Sequence, residues 1–226
     1  LDRAAKRIEA ETGVPFEHIL INATHTHHAP TTVTVHNYHR EEGFTRQLED
    51  KLVEAAQAAQ ARLKPVEFAY RLGEESSVGR NSRLLLGDQT IYWVGPRDDF
   101  VRPTGPFDPE LPVLVFREPG ARGALEAVLF NHSTHTIGTI KPGTRSPSFY
   151  GLAAQELESQ RGGTFLFFEG ASGSTHNLDV AAAEAALRIR EAVSTAMDAA
   201  RPRPLKSIEA RRREIEVRVR RFDESL

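Results

Sequence analysis

The stretch ALEAVLFNHSTHTIGTIKPGTRSPSFYGLAAQELESQRGGTFLFFEG, residues 124–170, decides the fold class. Its opening, Ala124 to Phe130, is apolar apart from Glu126 and reads as a strand running straight into Asn131-His132-Ser133-Thr134-His135. A helix is expected from Ser148 to Gln160, followed by an apolar strand from Thr164 to Phe168. That strand empties into Glu169-Gly170-Ala171-Ser172-Gly173-Ser174-Thr175-His176-Asn177.

Working outward, the spacing of Leu1, Ala4, Ala5 and Ile8 predicts a helix to Thr12, with Gly13 as its C-cap. The apolar run from His18 to Ala23 predicts a buried strand, ending in a polar loop from Thr24 to Pro30. A long helix is expected from Glu41 to Leu63, stopped by Pro65. Strands are expected over Val66–Leu72, Thr90–Val94, Pro112–Arg117 and Ile208–Val219, and a helix over Asp179–Ala200. Between them, Gly79–Arg83 and Pro96–Pro112 are rich in Gly, Pro and Asp and read as loops. Strands alternating with helices predict an α/β fold, a mixed β-sheet with flanking helices. The chain opens without Met inside a helical pattern and closes on a strand-like run, so it reads as a fragment of something longer.

Composition excludes several chemistries. With no cysteine, thiolate metal sites, disulfides and cysteine nucleophiles are absent, so a metal here needs imidazole, carboxylate or phenolate. The net charge is -2, which gives no reason to expect nucleic acid as a partner. The arginines at 211–213, 218, 220 and 221 are interrupted by acids and read as a solvated face. No apolar run has the length of a membrane span.

Five of the nine histidines fall between His25 and His39. In Thr24-His25-Thr26-His27-His28, His25 and His27 are two apart and project to one side of an extended chain. Neutral imidazole is a common zinc ligand, and loop exposure is the alternative reading. His132 and His135 follow a second apolar strand, whose end a parallel arrangement would bring to the same rim, with Asn131 and Thr134 available to orient the rings. His176 is a third candidate, in a Gly- and Ser-rich turn ahead of a helix whose N-terminal amides could instead bind an anion or an oxyanion, and a simple turn is the favoured reading. His18, His28, His36 and His39 receive no role.

Three blocks in order resemble the neutral, non-lysosomal ceramidases and their bacterial relatives. They are Asn22-Ala23-Thr24-His25-Thr26-His27-His28-Ala29-Pro30, Phe130-Asn131-His132-Ser133-Thr134, and Phe167-Phe168-Glu169-Gly170-Ala171-Ser172-Gly173. Gly79-Arg80-Asn81-Ser82-Arg83 is similar to an Asn-Arg stretch of that family. The resemblance implies that residues 1–226 are part of a single ceramidase-like catalytic domain, truncated at both ends. It implies Zn2+ held by His25 and His132, His27 as a proton-transfer group, and Arg83, or else Arg80, facing the substrate carbonyl. It further implies a glutamate and a tyrosine ligand beyond these blocks, a small-molecule or lipid amide substrate, and an extracytoplasmic location.

The sequence departs from the family pattern at His28-Ala29, at Ser82, at Ser174, and at Ser146 and Ser148 where an aspartate is expected. These positions border the expected substrate site. The function implied is zinc-dependent hydrolysis of an N-acyl amide bond, with ceramide or a related lipid amide as substrate. The alternative is a ceramidase-like relative that binds a ligand or metal without turnover. A serine nucleophile at Ser172 or Ser174 is a further reading, although the glycines around it lack the spacing of a nucleophile elbow.

Overall fold

The computed structural model describes residues 1–35, 37–120 and 123–218. In chain order the elements are α1 (Asp2–Thr12), a 3-10 turn (Phe16–His18), α2 (Glu42–Gln60), β1 (Glu67–Glu74), β2 (Arg80–Asn81), β3 (Leu84–Leu86), β4 (Ile91–Tyr92) and β5 (Phe100–Pro103). They continue as β6 (Glu110–Arg117), β7 (Leu125–His132), α3 (Ser148–Arg161), β8 (Thr164–Glu169), β9 (Thr175–His176), α4 (Ala182–Asp198) and β10 (Arg201–Pro202). Their contacts divide the chain into two units.

The first unit holds Leu1–Ile21, Leu48–Arg62 and the segment from Lys206. Here α1 buries Ala4, Ala5 and Ile8 of the face its spacing predicts, while Leu1, ahead of the helix, is exposed, and Gly13 ends it at φ 72, the left-handed cap that glycine adopts without strain. Arg3 holds Glu49 through two bonds of 2.7 Å, and Arg7 reaches Asp50 at 2.7 Å. No strand forms over residues 208–218: Ile208, Ile215 and Val217 are 84%, 80% and 79% exposed, and their alternation meets no sheet that would bury it. The remaining residue of that expected strand, Val219, lies outside the described residues.

The second unit holds Asn22–Gln47 and Leu63–Leu205. Its main sheet has the order β10-β1-β6-β7-β8 and is mixed: β7 and β8 are parallel, the other pairs antiparallel. Alternation in β6 and β7 turns Leu111, Val113, Val115, Val128 and Phe130 to one face. Phe149, Ala153 and Leu157 of α3 and Ala185, Ile189 and Val193 of α4 belong to the same buried cluster. The expected α/β class, a mixed sheet with flanking helices, is the observed one.

The strand expected over His18–Ala23 does not form; among the described residues this run has no ladder partner, and Leu20 is 78% exposed. At its end Asn22 bonds to the edge of β8 through its side chain instead. Its Oδ1 accepts from the Glu169 N–H at 3.0 Å and its Nδ2 donates to the Glu169 carbonyl at 3.4 Å. The strand expected at Thr90–Val94 shrinks to Ile91–Tyr92 in a small sheet, β4-β3-β5.

Ile189 is fully buried. Ile189→Ala should lower the unfolding free energy by about 2–5 kcal/mol, whereas Leu20→Ser should change it by no more than about 0.5 kcal/mol. Chemical denaturation of both variants measures the difference.

Candidate metal centre

The parallel pair sets the site. β7 and β8 pair in register from Ala127↔Thr164 to His132↔Glu169, so the chain leaves both strands at the same edge of the sheet. Loops at the carboxyl ends of parallel strands are the usual place for ligand sites in such sheets. Gly170 lets the second loop lie against the first: a Cβ there would stand 2.4 Å from Ser133 Oγ. The loop then returns as β9, pairing with β2 as Arg80↔His176 and Asn81↔Thr175. The His25 segment is tied to the same rim, because the Thr136 hydroxyl donates to the His25 carbonyl and the Gly138 N–H donates to His28 Nε2 at 2.8 Å. Thr26 Oγ1 adds a bond to the Ser146 carbonyl at 2.9 Å.

Three imidazoles converge there. His25, His27 and His135 place one nitrogen each within 4.8 Å of one another. His25 Nε2 stands 2.9 Å from His135 Nε2 and 3.3 Å from His27 Nε2. His135 Nδ1 lies 2.7 Å from the Ser172 carbonyl, so it carries the proton and Nε2 is a bare lone pair. The single proton that His25 Nε2 can offer must then serve two neighbouring nitrogens, an arrangement a cation satisfies better. Two nitrogens sharing a tetrahedral zinc at ~2.0–2.1 Å stand roughly 3.3 Å apart, close to the separations present. Burial, and then the neighbouring His135, lowers the His25 pKa; burial, followed by His25, His135 and His28, lowers that of His27. Both rings are thereby kept in the neutral form that binds metal. His25 itself has φ 57, an uncommon backbone region for a residue with a Cβ.

His132, the second ligand expected from sequence, does not join them. Its ring is fully buried, with Nδ1 2.6 Å from the Tyr150 hydroxyl and Nε2 2.9 Å from the Glu75 carbonyl. The carbonyl can only accept, so Nε2 carries the proton and Nδ1 accepts from Tyr150. Both nitrogens are engaged, leaving none for a metal. The cause is strand parity: His132 shares the face of Val128 and Phe130, both buried, and so points into the core. His135, three residues on and past the strand's end, turns into the cluster. Burial lowers the His132 pKa and raises that of Tyr150 well above its ordinary value.

His176 lies with its ring stacked on His135, centroids 4.0 Å apart and planes at 13°. Its Nδ1 is 2.9 Å from Ser82 Oγ. Arg83 reaches the Trp93 carbonyl at 2.7 Å and the Gly173 carbonyl at 3.3 Å, and its guanidinium lies over the Trp93 ring. Arg80 instead pairs with Asp179 at 3.0 Å, leaving Arg83 as the arginine of this rim. The one serine hydroxyl in contact with a histidine of the rim is that of Ser82, among the described residues; Ser172 meets His135 through its carbonyl. His36 lies outside the described residues, and no described helix is long and apolar enough to cross a membrane.

The fold, a mixed sheet with a histidine cluster at the carboxyl end of its parallel pair, is similar to that of solved ceramidases. Two solved structures share it. One is a ceramidase complexed with C2, with TM-score 0.67 and 23% identity over 87% of this chain and 33% of that one. The other is neutral ceramidase from Pseudomonas aeruginosa, with TM-score 0.64 and 21% identity over 88% of this chain and 35% of that one. The chain thus spans about a third of the length of the structures it matches. No protein-family model and no curated protein sequence matches it.

Glu169, at the end of β8, has both carboxyl oxygens buried without a well-formed hydrogen bond, and burial raises its pKa to about 7, with Ser172 opposing the shift. Between its ordinary value of 4.5 and about 7 the folded state holds the proton more tightly, so rising pH removes stability across that window. The lowered histidines act oppositely, removing stability as pH falls below 6.5. Glu169→Gln should therefore raise the melting temperature above pH 7 and leave it nearly unchanged below pH 4.5, as read by calorimetry across pH.

Proposed function

We propose that the protein is a ceramidase-like, zinc-dependent hydrolase of an N-acyl amide bond, with ceramide or a related lipid amide as substrate. The observation that carries this reading is the convergence of His25, His27 and His135 within 4.8 Å. The reading assigns His25 and His135 as zinc ligands, because His135 has the carbonyl-anchored ring typical of a ligand and His25 stands between the other two. A catalytic zinc takes at least three protein ligands, and the reading gives the remaining positions to the glutamate and the tyrosine that the ceramidase resemblance implies. Zinc bound there supplies a Lewis acid that brings the pKa of water toward neutrality and polarises the amide carbonyl.

Among the described residues the His27 ring has no hydrogen-bond contact apart from that with His25, so it can take a proton from water and deliver it to the leaving amine. Arg83 uses its Nη1 and Nη2 on the Trp93 and Gly173 carbonyls and retains further N–H donors for the oxyanion of the tetrahedral intermediate.

Elemental analysis and hydrolysis of an N-acyl amide panel test this on the full-length protein. His25→Ala and His135→Ala should lose zinc and activity together. His27→Ala should keep zinc and lose about 10²–10⁴ in rate, and Arg83→Ala about 10²–10³. His132→Ala should keep zinc while destabilising the fold. Zinc retained in His135→Ala and lost from a folded His132→Ala would return the second ligand to His132. Zinc bound with no hydrolysis of any amide would leave a non-catalytic relative.

A further inference from the structure

His176 is absent from the chemistry above, yet it touches His135 and is joined to Arg83 through Ser82. The loop from Ser172 to His176 grips His135 at three points: the Ser172 carbonyl takes the Nδ1 proton at 2.7 Å, the Thr175 carbonyl takes the backbone N–H at 2.9 Å, and the His176 ring covers the imidazole face at 4.0 Å. His176 is itself fixed. The Ser82 hydroxyl has one proton and gives it to the Ser174 carbonyl at 3.1 Å, so it accepts from His176 Nδ1 at 2.9 Å and from Arg83 Nη1 at 3.4 Å. The backbone repeats the link, since the Ser82 N–H donates to the Ser174 carbonyl at 2.8 Å.

We propose that His176 is a positioning residue: stacked on His135 and anchored by Ser82, it holds the His135 ring in the metal-binding orientation and joins it to the Arg83 side of the site. The role rests on His135 being a ligand, and it is one of bracing rather than of coordination. A ligand whose ring is carbonyl-bonded on one edge can still tilt about that bond, and a parallel neighbour removes the tilt. His176 supplies the face that removes the tilt; its bond to Ser82 fits the ring to its place, and the packing around this buried side chain holds it there. The bare Nε2 of His135 is then held toward His25 before a metal arrives.

The test uses the full-length protein with His176→Ala, which removes the ring, and His176→Phe, which keeps the ring face without the nitrogens. Zinc affinity is measured by competition with a chromophoric chelator, and the His135 Nδ1–H signal is followed by NMR in metal-free protein. His176→Ala should bind zinc about 10–100-fold more weakly and lose the Nδ1–H signal to exchange. His176→Phe should restore both. The proposal is overturned if His176→Ala keeps both properties, or if His176→Phe resembles the alanine variant, which would make the nitrogens of His176 the essential part. Should the alanine variant fail to fold, the phenylalanine variant decides alone: both properties kept supports the brace, and both lost ends it. Failure of the zinc reading is a separate outcome. Wild-type protein that binds no zinc removes the proposed function, and the Nδ1–H signal still determines whether His176 holds the ring.

Discussion

The parallel pairing of β7 with β8 is the constraint on which the site depends. Parallel strands must be joined by a crossover, here α3, and both then end at the same edge of the sheet. Were they antiparallel, the 133–136 loop and the 170–176 loop would leave from opposite ends, and His135 could not meet Ser172 or His176. α3 closes the crossover and also fills the core, with Phe149, Ala153 and Leu157 packed among residues of β6, β7 and α4. The same hydrophobic contacts that stabilise the fold therefore hold the two loops beside each other.

On that rim, small and polar residues convert loop chemistry into a defined geometry. Gly170 permits an approach that a Cβ would crowd, at 2.4 Å from Ser133 Oγ and 3.1 Å from the His132 carbonyl. Thr136 and Thr175 hydroxyls bond to backbone carbonyls of His25 and Ser133, fastening neighbouring loops to one another. Ser82 joins the His176 ring to the Arg83 guanidinium. Beneath lies a buried polar chain from the Glu75 carbonyl through His132 to Tyr150, which closes the hydrogen-bonding needs of a histidine inside an apolar core. Two histidines three residues apart thus have opposite fates, one supporting the core and the other facing the cluster.

The sequence by itself determined the elements whose signal is local. The α1 cap at Gly13 and the β7–α3–β8 succession each follow from periodicity or spacing within a short window, and each is present; His25 and His27 also meet, but with His25 at φ 57 and not through the extended chain that their spacing suggests. Strand parity was also written there: with Val128 and Phe130 apolar, His132 two residues later falls on the core face. What tertiary structure alone decided is which segments find partners. The runs at 18–23 and 208–218 have the apolar patterns of strands, but a strand exists only when a neighbour takes its hydrogen bonds and a core takes its side chains, and among the described residues neither run has these. The same holds for the cluster, because His135 and His176 lie 110 and 151 residues from His25 along the chain, and no local pattern encodes a contact over that distance. Sequence supplied the imidazoles; the register of one parallel strand pair decided which of them meet.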